Sequence, residues 1–267
     1  MKAVAFDYLA PRSLDEAFEA LSRDDAILMA GGQSLGPMLN LRLVRPRLVV
    51  DISRIPALRL MDLRTGSLWI GACVTHSEIE DQRDGFLQAV ASGIASRTVR
   101  NRGTIGGSLA HADPAGDWPL ALAAIGAKLH LRTRKAKRVV PADQFMRGAF
   151  TTILEPGELI ESIEIPQVDS LTRWGYFKFC RKVGEFPEAS AAVVWGASPQ
   201  MPRVFIGALN TAPAACGSLG PLLTNGDAVG PSDFLHAVQQ ARPGLDAVET
   251  RMHAAALSRA VQQAVAS

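Results

Sequence analysis

Two glycine-rich stretches hold the residue types best able to bind an anion. One is Ala30-Gly31-Gly32-Gln33-Ser34-Leu35-Gly36. The other is Thr104-Ile105-Gly106-Gly107-Ser108, which runs on through His111, Asp113 and Gly116 to Asp117. Glycine lets a ligand come close to the main chain. Successive amides in a turn form an anion-binding concavity. Ser34, Thr104 and Ser108 add hydroxyl donors. Either stretch alone reads as a tight turn. Together, and far apart in sequence, they point to one diphosphate gripped from two sides, neutralised mostly by dipoles. The commonest nucleotide fingerprints are missing, since neither G-x-G-x-x-G nor G-x-x-x-x-G-K-[ST] occurs.

His111 and Asp113 form an H-x-D, but His76, His130, His236 and His253 offer no paired spacing for a metal. Asp117 fits better as an acceptor of ribose hydroxyls. Arg100 and Arg102 read as solvated loop charges. Lys178 alternates with Trp174, Tyr176, Phe177 and Phe179. It reads either as a solvated edge lysine or as a cation beside a ring walled by those aromatics. The basic run from Arg132 to Arg138 reads as a hairpin tip facing water. Cys73, Cys180 and Cys216 are scattered with no CxxC, which excludes a four-cysteine iron–sulfur cluster or zinc site within this chain.

The elements that must position these residues follow from periodicity and punctuation. Ser13-x-x-Glu16 predicts a capping box ahead of an amphipathic helix. Ala26–Ala30 reads as a buried strand running into the first glycine turn, followed by a helix through Leu43. Leu48–Ile52 and Leu68–Val74 read as strands, Gly85–Ser96 and Trp118–Ala127 as helices. Lys128–Val140 reads as a hairpin, and Leu159–Ile165 as a strand stopped by Pro166. Beyond a linker near Gln167–Ser170 come strands at 176–179, 191–195 and 204–209. Helices follow at 233–240 and 248–265, the order of a small α+β domain. Trp69, Trp195, Cys73 and Cys180 read as packing residues.

With 267 residues the chain suits two domains. Apolar residues make up 48% and the net charge is +2, which favours a sizeable core and argues against a nucleic-acid binder. The longest apolar stretch, near Pro119–Ala127, is too short to span a bilayer. The N-terminus has no secretory h-region. With the sparse cysteines, this suggests a cytoplasmic protein.

These stretches resemble the FAD-binding medium subunit of the molybdenum hydroxylases, the carbon monoxide dehydrogenase and xanthine dehydrogenase family. The resemblance runs from AGGQSLGPMLNLRLVRPRLVVDISRI through LWIGACVTHSEI, RNRGTIGGSLAHADPAGDWP and TILEPGELIESIEIP. It continues into YFKFCRKVGEF and, more weakly, RMHAAALSRAV. It implies a two-lobed α+β FAD domain of the p-cresol methylhydroxylase type over residues 1–168, with lobes 1–53 and 54–168. A small α+β domain over 169–267 would follow. It implies non-covalent FAD, with Ala30, Gly31, Gly32, Gln33, Ser34 and Leu35 at the diphosphate and ribitol. Thr104, Ile105, Gly106, Gly107 and Ser108 would lie on the other side. Asp117 would sit at a ribose, main-chain groups of Ile160 and Glu161 at the ring edge, and Lys178 near the flavin. Two departures stand out: Gln33 replaces a histidine of some relatives, and Phe186-Pro187-Glu188 replaces small residues.

The resemblance further implies electron transfer. Electrons would arrive from [2Fe–2S] clusters on a small subunit and originate at molybdopterin on a large one, in a dimer of heterotrimers. A stand-alone flavin oxidase or dehydrogenase, or a non-catalytic nucleotide-binding module, are the competing readings. The first would need an acid/base over the ring, and no residue nominates itself.

Overall fold

The structure is a computed structural model describing residues 2–23, 25–82, 85–166, 172–196 and 202–266. The first elements are β1 (Asp7–Leu9), α1 (Leu14–Leu21), β2 (Ala26–Met29), α2 (Leu35–Asn40) and β3 (Leu48–Asp51). The strands form a parallel sheet in the order β1-β3-β2. The Ser13 hydroxyl accepts the Glu16 amide at 3.2 Å. The expected capping box is only half made, because the Glu16 carboxylate accepts from the Arg12 amide rather than from that of Ser13. Leu14, Ala17 and Phe18 of α1 bury themselves against Val50 and Ile52.

A larger unit follows. It comprises β4 (Met61–Arg64), β5 (Ser67–Gly71), α3 (His76–Glu80), α4 (Gly85–Ser92), α5 (Arg97–Arg100), α6 (Ile105–His111) and α7 (Asp117–Ile125). Then come β6 (Lys128–Arg132), β7 (Lys137–Pro141), the short pair β8 (Met146–Gly148) and β9 (Thr151–Thr152), and β10 (Leu159–Pro166). Five of these strands make an antiparallel sheet in the order β4-β5-β10-β6-β7. Alternation along the strands puts Ile70, Leu129, Leu131, Ile163 and Ile165 on the core side, against Phe86, Ile105, Trp118 and Leu122 of the helices. The expected strand through Val74 stops at Gly71. From there the Cys73 amide donates to the Leu58 carbonyl, and Thr75 with Glu78 builds a full capping box that opens α3.

The last elements are β11 (Arg173–Phe179), β12 (Ala189–Trp195), β13 (Arg203–Gly207), β14 (Ala214–Ala215), α8 (Leu219–Asn225), α9 (Pro231–Ala241) and α10 (Ala247–Ala266). The strands form an antiparallel sheet in that order. One face packs on α9 and α10. Gly175 makes this close: a Cβ there would lie 1.8 Å from the Ala260 carbonyl oxygen of α10. The other face receives Leu120, Ala123 and Ala124 of α7, which meet Ala192 and Phe205. Helix α7 is therefore held between two sheets, and all nine of its residues are buried. The chain is α+β, as expected. The linker expected near 167–170 lies outside the described residues.

Candidate functional site

A cavity of about 630 Å³ lies where the first parallel sheet meets the larger unit. That is within the roughly 300–1,000 Å³ typical of ligand sites. Its wall includes Ala30, Gly31, Gly32, Gln33, Ser34 and Leu35 from the turn after β2, and Thr104, Gly106, Gly107 and Ser108 at the start of α6. The two turns touch. A Cβ on Gly31 would lie 2.0 Å from the Arg102 carbonyl oxygen, and one on Gly107 would lie 3.6 Å from the Ala30 Cβ.

The first turn presents its main chain. Gly32 takes φ +70°, a conformation that favours glycine. Among the described residues no acceptor takes the amides of Gly32, Gln33, Ser34 or Leu35. Gln33 and Ser34 are exposed and Gly32 and Leu35 half-buried, so these are the open donors of a helix start, and four of them in succession along a cavity wall suit an anionic ligand. The second turn differs. The Ile105 amide donates to Val74 O at 3.1 Å, Gly106 to Ala72 O at 2.9 Å, and Gly107 to Thr104 Oγ1 at 3.1 Å. The expectation that both turns clasp a diphosphate through amides is thereby corrected. The second turn spends these amides on its own fold and offers hydroxyls instead. Ile105 is fully buried and off the cavity wall.

Other predicted residues divide likewise. Asp117 and Ile160 line the cavity; Glu161 and Lys178 do not. A β-bulge between Ile160 and Ser162 turns the Glu161 carboxylate to the opposite side of the sheet. There it meets Arg132 at 2.7 Å and Lys137 at 3.0 Å. Burial opposes ionisation of Glu161, but these two cations outweigh it and hold the carboxyl below its usual range. Lys178 Nζ donates to Asp117 Oδ1 at 2.7 Å and to Gly93 O at 2.8 Å. The Tyr176 hydroxyl donates to the same Asp117 oxygen. Burial, and then Asp117, push the Tyr176 phenol well above its ordinary value.

The expected solvated charges hold at Arg102, Arg134 and Lys135, which are exposed, but not at three other arginines. Arg100, its side chain 11% exposed, is tied into a network with both Glu80 carboxylate oxygens and the Ile94 and Ala95 carbonyls. Arg132 and Arg138 do not simply face water either, for Arg138 pairs with Glu158 at 2.6 Å. That pairing holds the Glu158 carboxyl low.

Sequence reasoning missed several wall residues. His76 is one. It is 5% exposed, and burial, with the Arg100 charge, lowers its pKa to about 4. Its Nδ1 accepts from Trp118 Nε1 at 3.1 Å, so Nε2 carries the proton. The Thr-x-x-Glu box at Thr75–Glu78 signals the helix start that places it. Gly184, Glu185 and Phe186 come from the β11–β12 loop, and nothing local in the sequence shows that this loop reaches the cavity. Phe186 is 67% exposed there.

Residues 4–168 match the family profile described as the FAD binding domain in molybdopterin dehydrogenase. The carbon monoxide dehydrogenase medium chain of Hydrogenophaga pseudoflava is 38% identical, covering 79% of this chain and 76% of its own. The caffeine dehydrogenase subunit beta of Pseudomonas sp. (strain CBB1) is 35% identical, covering 74% of this chain and 70% of its own. Among solved structures, a carbon monoxide dehydrogenase from Hydrogenophaga pseudoflava superposes with a TM-score of 0.91 at 32% identity, over 100% of this chain and 99% of that one. Quinoline 2-oxidoreductase from Pseudomonas putida 86 gives 0.90 at 31% identity, with the same coverage. A cavity of cofactor size with an anion-seeking turn, inside a fold shared end to end with these proteins, makes the chain a member of the FAD-binding medium subunits of the molybdenum hydroxylases, and so an FAD-containing oxidoreductase subunit.

Proposed function

We propose that this subunit is the electron-exit module of its complex. It would take electrons from [2Fe–2S] clusters on a small partner subunit and pass them to an external acceptor. A large subunit with molybdopterin would oxidise the substrate, and the assembly would be a dimer of heterotrimers in the cytoplasm. FAD, when bound, can exchange one or two electrons and so join a one-electron cluster chain to a two-electron reaction.

The observation that carries this reading is the row of four unpaired amides from Gly32 to Leu35 along the cavity wall. They would hold the diphosphate, Ser34, Thr104 and Ser108 would add hydroxyl donors, and Asp117 would accept from a ribose hydroxyl. Two further points support it. Cys73 and Cys216 are buried with thiols pushed up to about 12, chiefly by burial, which suits packing rather than ligation. Electrons would therefore have to come from another chain. The relatives also act, by name, on carbon monoxide, caffeine and quinoline. Such unlike substrates on one shared fold support the reading that substrate choice lies elsewhere in the complex.

The test is to purify the chain alone and with its co-expressed partners. The expected result is bound flavin in both, with reduction by substrate only when the partners are present. A colourless chain that ignores added FAD would overturn the proposal. Reduction of the isolated chain by a small substrate would favour a self-sufficient flavin enzyme.

A further inference from the structure

Strand alternation puts Tyr176 and Lys178, two residues apart on β11, on the same face of their sheet. That face abuts the first turn of α7, where Asp117 stands. Both donors converge on one carboxylate oxygen, Oδ1. Lys178 is itself fixed by the Gly93 carbonyl at 2.8 Å. The side chains of Lys178 and Asp117 are 11% and 7% exposed, so the pair is held away from bulk water. Asp117 also belongs to the cavity wall, and neither Tyr176 nor Lys178 does. Among the described residues, Asp117 Oδ2 accepts no hydrogen bond.

We infer that Tyr176 and Lys178 are positioning residues that orient the Asp117 carboxylate so that Oδ2 accepts a hydroxyl of the bound nucleotide. The inference rests on the FAD reading above. Through this carboxylate the last sheet governs how tightly the first two units hold their cofactor, without touching it. Lys178 then acts on the cofactor through Asp117, not as a cation against the ring. The orientation comes from two donors on one oxygen, which fixes the carboxylate plane more firmly than one could. Truncating either donor lets the carboxylate rotate and lose its aim.

The experiment is a double-mutant cycle on the full chain, reading the FAD dissociation constant by flavin fluorescence, with the unfolding midpoint of each apo variant measured alongside. Asp117→Ala is expected to weaken FAD roughly tenfold or more, the scale of a charged hydrogen bond. Tyr176→Phe and Lys178→Met are each expected to weaken it roughly fivefold by the same scale. In the Asp117→Ala background neither should weaken it further. Lys178→Arg, which keeps a cationic donor, should recover part of the loss and keeps the test open if Lys178→Met fails to fold. A merely structural role would lower the unfolding midpoint equally in both backgrounds and add its loss of affinity to that of Asp117→Ala, and additive losses overturn the inference. Single variants or an Asp117→Ala variant that bind FAD like the parent also overturn it. A parent chain that binds no FAD at all instead sinks the functional reading beneath it.

Discussion

In the turn after β2, the amides of Gly32 to Leu35 donate to nothing among the described residues. In the turn before α6, those of Ile105, Gly106 and Gly107 are all taken by Val74, Ala72 and Thr104. The glycines differ to match. Gly32 takes a positive φ that aims the main chain into the cavity. Gly106 and Gly103 are pressed onto neighbours: a Cβ on Gly106 would lie 2.5 Å from the Ala72 Cβ, and one on Gly103 would lie 2.8 Å from the His76 ring. Similar composition thus leaves donors open in one turn and serves close helix–strand packing in the other.

The largest expected effect is at the packed turn. Gly106→Val would drive its side chain into Ala72, including the main-chain oxygen 2.7 Å from the added Cβ. Overpacking typically costs about 1–3 kcal/mol, and with backbone as the neighbour we expect the upper end or beyond, seen as a fall in the urea midpoint. A variant as stable as the parent would show that the second turn can open. At the capture turn, Gly32→Asp should leave a folded chain purified without FAD. It places a negative charge among the amides and adds strain of about 1–2 kcal/mol at φ +70°. Full flavin content in Gly32→Asp would remove the first turn from the site. Gly107→Asp should lose FAD as well, and stability too, because its Cβ would lie 2.7 Å from the capping Thr104 hydroxyl.

Acid separates the turns in another way. His76 supports the second turn beneath Gly103, and burial lowers its folded-state pKa from the ordinary 6.5 to about 4. Its contribution is fully present above about pH 6.5 and is lost as the pH falls towards 4. The loss is on the order of 3 kcal/mol. His76→Gln should flatten that part of the stability–pH curve, and an unchanged slope would exclude His76 as its source. The smallest effect is Thr104→Ala, which removes the acceptor for the Gly107 amide and should cost about 1 kcal/mol of stability.

The asymmetry between the turns was not legible in the sequence. Glycines and hydroxyls mark both as anion-seeking, but the carbonyls that occupy the second turn belong to Ala72 and Val74, some thirty residues upstream, and only tertiary pairing brings them there. Strands β2, β3, β5, β10, β11, β12 and β13, the hairpin at 128–141, helix α7 and the final helices were readable, because each shows a clear period bounded by glycine, proline or a cap; the short β1, β4, β8, β9 and β14 offer too few residues to show one. Helix α3 was readable too, from Thr75-x-x-Glu78, yet the apolar run before it reads more strongly as a continuing strand. The side on which the Glu161 carboxylate lies was not legible either, since a bulge breaks the period of two on which such an assignment depends. Lys178 was left between edge residue and ring neighbour. Its partner is sixty-one positions away on another unit, a distance no local pattern spans.

The contact between Gly175 and Ala260 carries this coupling further. Helix α10 acts as a backstop for β11, setting how far the strand leans towards the rest of the molecule. A methyl group at 175 would wedge the two apart and shift Tyr176 and Lys178 as one body. Helix α10, which gives no residue to the cavity wall, would thus be the fulcrum on which the grip of the cavity turns.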